Sequence, residues 1–294
     1  MIKVRVPATS ANMGPGFDTM GVALNMYNHF YIQEAEELSI TGCPKEDANE
    51  GNLLYRSMIR CLEMLEFPYR GFHIHFDCSI PISRGLGSSA SCILGGMLAA
   101  NGIAGNPLDS GSILRIASEI EGHPDNIAPA LFGGMVISIT QGNEIHYNRM
   151  DIAPGLKFCA LIPDFTLSTH EARAVLPKSV PYGDAIFNVS RSSLLLSALM
   201  TGRHELIKVA CQDRLHQPYR GRLIANYSEV IQQCEELDCL GVYLSGAGPT
   251  IMVILGEEDN TFTPSMKEYL ADLPHTWEVV ELKIDAQGAC VESQ

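Results

Sequence analysis

Apolar and polar residues alternate at Ile2 to Val6, His29 to Ala35, Phe72 to Phe76 and Trp277 to Ile284. That period of two predicts strands, because successive side chains on a strand point to opposite faces. Pro7 is expected to end the first of them. Compact apolar runs predict further strands at Gly134 to Thr140, Leu156 to Pro163 and Ile251 to Leu255, with Leu240 to Leu244 beside the last. Apolar residues at helical spacing predict an amphipathic helix over Asn52 to Leu65, which Asn52 is placed to cap. Helices are also expected over Ala90 to Ala100, Asp109 to Glu121, Thr169 to Pro177, Ala185 to Met200, Glu205 to Cys211, Leu223 to Leu237 and Ser265 to Leu270. Gly122 and Pro124 stop the helix that ends at Glu121. Between Asn143 and Pro154 the pattern loosens, which divides the chain into domains 1–153 and 154–294. The second half then reads strand, helices, strand pair, helix, strand: an α+β layer with an antiparallel sheet.

Composition narrows the function. The chain has 294 residues, 46% of them hydrophobic and 18% charged, as expected of a globular protein with a full core. Its 34 acids against 20 Lys and Arg give a formal charge of -14. That excess argues against nucleic acid and anionic membranes as partners. An anionic substrate must therefore be held by a few aimed cations against the overall field. Nine scattered cysteines with no C-x-x-C pair argue against a disulfide framework and for a reduced, cytoplasmic setting. The first residues lack the apolar region of a secretory signal, and no apolar run is long enough to cross a membrane. His73 and His75 share a strand face, but nothing nearby completes a metal ligand set.

Candidate chemistry concentrates in a few stretches. In PISRGLGSSA, Gly85 and Gly87 allow a tight turn that feeds a small-residue helix. A helix start reached through glycines is an anion site, since free N–H groups and the positive dipole end point the same way. It is not a Walker A loop, because the lysine is missing. PATSANMGPGFDTMG is a shaped loop that carries Asn12 and Asp18, and EIEGHPDN gathers Glu119, Glu121, His123, Asp125 and Asn126 at a helix end. SGAGPT (Ser245 to Thr250) is a turn with too little charge to bind a ligand by side chains.

PATSANMGPGFDTMG, PISRGLGSSAS and LSGAGPT, in that order, resemble the three signature motifs of the GHMP small-molecule kinases. EGHPDNIAPALFGG, THEARAVLP and HQPYR resemble those members of the family that phosphorylate homoserine. The resemblance covers essentially the whole chain. It implies a two-domain α+β fold: an N-terminal domain with a left-handed βαβ unit, a ferredoxin-like α/β-sandwich C-terminal domain, and an active site between them. It implies ATP and Mg²⁺, conversion of L-homoserine to O-phospho-L-homoserine for threonine biosynthesis, and leaves a homodimer open.

By resemblance, the nucleotide is held by Pro81, Ile82, Ser83, Arg84, Gly85, Leu86, Gly87, Ser88, Ser89, Ala90 and Ser91, with the backbone from Arg84 to Ala90 around the phosphates. Ser89 (or Ser88) and either Glu119 or Glu121 hold Mg²⁺, and the superfamily habit leans to Glu119. Arg173 and Arg220 resemble the carboxylate pair for homoserine, as arginine's planar fork suits. Asp18, with Asn12, resembles the ammonium site. His123 and Asn126 lie where the family contacts the substrate hydroxyl, and Thr169 near the γ-phosphate. Arg214 and Arg222 are expected in surface or interdomain ion pairs. Catalysis then rests on Ser89, His123 and Asn126. An asparagine cannot accept a proton, so direct attack without a strong base is expected, with His123 the fallback base. SGAGPT is expected to brace the glycine loop. Two rival readings remain: a kinase of the same family for another small alcohol, mevalonate- or sugar-like, and a nucleotide-binding regulator that has lost chemistry.

Overall fold

The computed structural model describes residues 1–293. In chain order the first half contains β1 (Ile2–Ala11), β2 (Met20–Ala35), β3 (Ser39–Thr41), α1 (Leu53–Met64), β4 (Gly71–Cys78), α2 (Ser88–Ile103), α3 (Ser110–Glu121), α4 (Ile127–Phe132), β5 (Met135–Gln141) and β6 (Glu144–Met150). The second half contains β7 (Leu156–Pro163), α5 (Thr169–Ala174), α6 (Tyr182–Thr201), α7 (Ile207–Ala210), α8 (Gln217–Arg220), α9 (Tyr227–Glu236), β8 (Gly241–Leu244), β9 (Ile251–Gly256), α10 (Phe262–Ala271), β10 (Trp277–Leu282) and β11 (Cys290–Ser293).

The first sheet has strand order β11-β1-β2-β4-β3, and β5 pairs with the start of β2 and carries β6. Only β3 and β4 run parallel, and α1 connects them, which makes the βαβ unit. Helices α1 to α4 cover one face of this sheet over a core that includes Phe30, Leu54, Phe72, Leu94 and Met97. The second sheet, β10-β7-β9-β8, is antiparallel throughout. Its strand order and its β-helices-β-β-α-β connectivity are those of a ferredoxin-like sandwich. A second core, with Met13, Met20, Leu24, Phe158, Leu195 and Tyr243, joins the two sheets across the cleft floor.

Several elements differ from what the sequence pattern predicts. Pro7 does not end the first strand: β1 runs on to Ala11, and the register shift between Pro7 and Ala8 is a bulge that accommodates the missing N–H. β2 begins at Met20 instead of His29. Met20 to Leu24 are buried on both faces, so that part lacks alternation. The loose stretch after Asn143 is an exposed edge strand, β6. Strand β11 was not foreseen; it pairs with β1, so residues 290–293 belong to the first sheet. The helix expected from Leu223 starts only at Tyr227, because Asn226 sits at φ 56°.

Helix α2 shows why its small residues matter. A Cβ on Gly96 would strike the Leu54 carbonyl of α1, so only glycine lets these helices approach so closely. Asn52 caps α1 as expected, its Oδ1 accepting from Leu54 N (3.0 Å) and Tyr55 N (3.3 Å).

Candidate active site

A cleft of about 380 Å³ opens between the α2 side of the first sheet and the loops of the second half. Asn12, Asp18, Ile82, Ser83, Arg84, Gly85, Gly87, Ser88, Ser89, Glu121, His123, Asn126, Thr169, Arg173 and Arg220 line it. Five of the expected site residues do not line it: Pro81, Leu86, Ala90, Ser91 and Glu119. Leu86 and Ala90 point into the core. Ser91 is buried, donating to Ser88 O and accepting from Asn28 Nδ2. The Glu119 carboxylate pairs on the surface with Arg60 and Arg115.

At one end the chain presents backbone. Gly87 (φ 73°) turns the loop into α2, leaving the first N–H groups of a long helix facing the cleft. The late glycine turn braces this loop as expected: Ser245 Oγ donates to Gly85 O (2.6 Å) and Thr250 N donates to Arg84 O (3.2 Å). Arg84 sends its side chain across to the second sheet, donating to Pro163 O (2.8 Å) and Asp164 O (2.7 Å). Beyond the loop the wall becomes apolar, with Pro44, Leu53, Phe76, Ile80 and Ile82. Such a wall suits a flat ring system attached to the anion.

Ser89 Oγ, on the first turn of α2, donates to Glu121 Oε2 at 2.6 Å. Of the two acids left open in the sequence, Glu121 faces the loop, while Glu119, towards which the family pattern leaned, lies outside the cleft in surface ion pairs. Residues two apart on a helix end face different ways, and Gly122 (φ 96°) finishes α3 just after Glu121. Burial raises the Glu121 pKa, against the opposing pull of Ser89 and His123. A cation placed beside this half-buried carboxylate would oppose that shift and favour the ionised form.

The other end is built from charged side chains. Arg173 grips Asp18 through two parallel bonds, Nη1 to Oδ2 (3.0 Å) and Nη2 to Oδ1 (2.9 Å). Arg220 is 2% exposed and donates to Ala172 O (3.1 Å) and Gly246 O (2.9 Å). Burial, reinforced by the Arg173 charge, pushes its pKa down to about 10. Asn12 engages both amide atoms in shaping the site: Nδ2 donates to Gly246 O (2.8 Å) and Oδ1 accepts from Asp18 N (3.0 Å). Thr169 opens α5 beside the cleft. Arg214 lies outside it and pairs with Asp184, while Arg222 stacks over Tyr219.

Between the ends, His123 Nδ1 lies 2.5 Å from the buried Asp125 carboxylate. Burial opposes protonation of His123, but the Asp125 hydrogen bond and the charges of Asp125 and Glu121 outweigh it, and its pKa is raised. Asn126 is fixed by Thr9 Oγ1, which donates to its Oδ1 at 2.7 Å.

The family pattern described as "GHMP kinases N terminal domain" matches residues 52–134, and "GHMP kinases C terminal" matches residues 195–263. A homoserine kinase of Clostridium botulinum (strain ATCC 19397 / Type A) is 53% identical over 294 residues, covering 100% of this chain and 99% of that protein. The chain belongs to the GHMP kinase family, in its homoserine kinase branch. Among solved structures, homoserine kinase from Cytophaga hutchinsonii superposes with a TM-score of 0.88 at 28% identity, over 99% of this chain and 97% of that one. The L. major mevalonate kinase complex with R-mevalonate, at 14% identity, shares the fold with a TM-score of 0.74 over 97% of this chain and 96% of that one.

Within this GHMP kinase, no positioning role was expected of Thr9, Asp125, Asp213 or His216, although Asp125 was among the residues clustered in EIEGHPDN. Thr9 and Asp125 fix Asn126 and His123. Asp213 and His216 lie beneath Arg220. The signal for Asp125 was present, since it sits inside EGHPDN. Thr9 reaches Asn126 only through long-range packing, whereas His216 lies inside HQPYR, four residues before Arg220, and Asp213 three residues before His216.

Proposed function

We propose that the protein transfers the γ-phosphoryl group of ATP to the hydroxyl of L-homoserine, giving O-phospho-L-homoserine, the precursor for threonine. One observation carries the reading: a main-chain anion cradle shares a single cleft with an Arg173–Asp18 pair and a buried Arg220. Homoserine is a zwitterion with a primary hydroxyl. Its carboxylate is matched by Arg220 and Arg173, and its ammonium by Asp18, so both charges enter an existing cluster of opposite signs.

The nucleotide phosphates rest on the amides between Arg84 and Ala90, with the base against Phe76, Ile80 and Ile82. Ser89 and Glu121 offer hard oxygen donors side by side, and no larger cluster of ligating residues occurs among the described residues. That set fits Mg²⁺, which uses few protein ligands and takes the rest from phosphate and water. Bound there, the ion neutralises charge on the phosphate oxygens.

In the reaction the homoserine hydroxyl oxygen attacks the γ-phosphorus in line. The bond to the β,γ-bridging oxygen breaks and ADP departs with the electron pair. The hydroxyl proton passes to a phosphoryl oxygen or to solvent. His123 is tied to Asp125 through Nδ1, which leaves Nε2 as the ring nitrogen for the transferring group, a donor whenever it carries a proton. Asn126, locked by Thr9, directs its amide at the hydroxyl. Catalysis is thus positioning and charge neutralisation.

The test is ADP release with homoserine, mevalonate, galactose and shikimate as acceptors. Turnover with homoserine at a kcat/KM at least about tenfold above the others is expected. Preference for another alcohol, or calorimetric binding of ATP and homoserine with no turnover, would overturn the reading.

A further inference from the structure

Arg220 is the bulkiest fully buried side chain, and its charge has no carboxylate in direct contact. Nε and Nη1 are taken by the carbonyls of Ala172 and Gly246, and Nη1 also faces His216 Nδ1 at 3.4 Å. Nη2 has no protein partner among the described residues, and Arg220 lines the cleft. The open guanidinium edge is therefore the one left for a ligand.

His216 has no exposed surface. Its Nε2 lies 2.8 Å from Gly14 O, which can only accept, so Nε2 carries the proton. In the neutral ring Nδ1 then holds a lone pair, and Arg220 can only donate to it. The partners on both sides fix the tautomer. The ring also stacks on Phe17 (centroids 5.0 Å, 19°), and Phe17 in turn lies under the Arg220 guanidinium at 5.0 Å. Behind the ring, the buried Asp213 carboxylate accepts from Leu215 N, His216 N, Gln217 N and Asn188 Nδ2 at 2.7–3.0 Å. Those bonds anchor the start of α8, with His216 at its N-cap position and Arg220 as its last residue.

We infer that His216, anchored through Asp213, is a positioning residue for homoserine: it holds the Arg220 guanidinium so that Nη2 stays turned towards the substrate carboxylate. The same ring ties the Gly14 loop of the first half to α8 of the second. The inference rests on the reading of Arg220 as a carboxylate ligand.

The experiment compares homoserine with 3-aminopropan-1-ol, which lacks the carboxylate. His216→Phe keeps the stack on Phe17 and removes both nitrogens. It is expected to raise the homoserine KM by about 10- to 100-fold, to leave the ATP KM within about twofold, and to cut the preference for homoserine over 3-aminopropan-1-ol by the same factor. His216→Asn, whose Oδ1 takes the place of Nδ1, recovers much of that preference. His216→Gln, whose amide replaces the donor to Gly14 but not the acceptor for Arg220, does not. If His216→Phe fails to fold, the Asn–Gln contrast decides alone. Preference kept in His216→Phe, or recovered equally by Gln and Asn, overturns the inference. Loss of preference in Arg220→Ala with none in the His216 variants would overturn it while sparing the assignment of Arg220. Preference unchanged in Arg220→Ala would remove that assignment first.

Discussion

The two ends of the cleft are made of different material. At the end proposed for the nucleotide the groups on offer are main-chain amides, shaped by Gly87 and braced by Ser245 and Thr250. At the amino-acid end they are side chains, each held by another: Arg173 by Asp18, His123 by Asp125, Arg220 by backbone carbonyls and His216. At the first end the backbone path is therefore what must be kept, together with the Ser89 and Ser245 hydroxyls. At the second end the backbone matters less than the loss of a single partner, which strands a buried charge.

The sharpest way to break the backbone end is Gly87→Val. The residue sits at φ 73°, where a β-branched side chain is strained, and its Cβ would strike Thr9 Oγ1. A fall on the order of a thousandfold in kcat/KM for ATP is expected from strain plus overpacking. The matching break at the other end is Arg220→Ala. Removing one partner of a desolvated charge interaction costs about 2–5 kcal/mol, so the homoserine KM should rise by roughly tens- to thousands-fold while ATP binding holds. A rise in both constants together would erase the distinction between the ends.

Glu121→Gln and Glu119→Gln sharpen the junction of the two. The first is expected to lower kcat by about a hundredfold. The second breaks only exposed ion pairs and should leave kcat within about twofold. Equal losses would return Glu119 to the site.

The smallest effect is on stability. The His123 pKa is raised in the fold above the ordinary 6.5, so its pairing with Asp125 stabilises fully below that value. The contribution is lost as pH rises through the higher folded pKa. The gap in Tm between the parent protein and His123→Gln should therefore narrow from about pH 6 to about pH 9, and a gap that widened would reverse the sign of the interaction.

What could be read in the sequence follows the same division. The glycine loop, its helix and the bracing turn were legible because backbone geometry demands glycine and leaves a motif. Strands β4, β7, β9 and β10 were legible from one- or two-sided burial. The start of β2 was not, since full burial erases alternation, and β1 was cut short because its bulge at Pro7 looks like an ending. At the amino-acid end the inventory of charges was readable, but not their pairing. Arg173 and Asp18 lie 155 residues apart, and nothing local tells which of two acids on α3 turns inward.

Strand β11 lies against β1 in antiparallel register from Ile2↔Ser293 to Arg5↔Cys290. β1 is thus covered along one edge by a strand that lies nearly 290 residues later in the sequence. Without β11, one edge of β1 would present a bare row of amide and carbonyl groups, the kind of template that recruits neighbouring chains. A fragment cut at residue 153 would keep that sticky margin permanently, and would be prone to aggregate however well its helices packed.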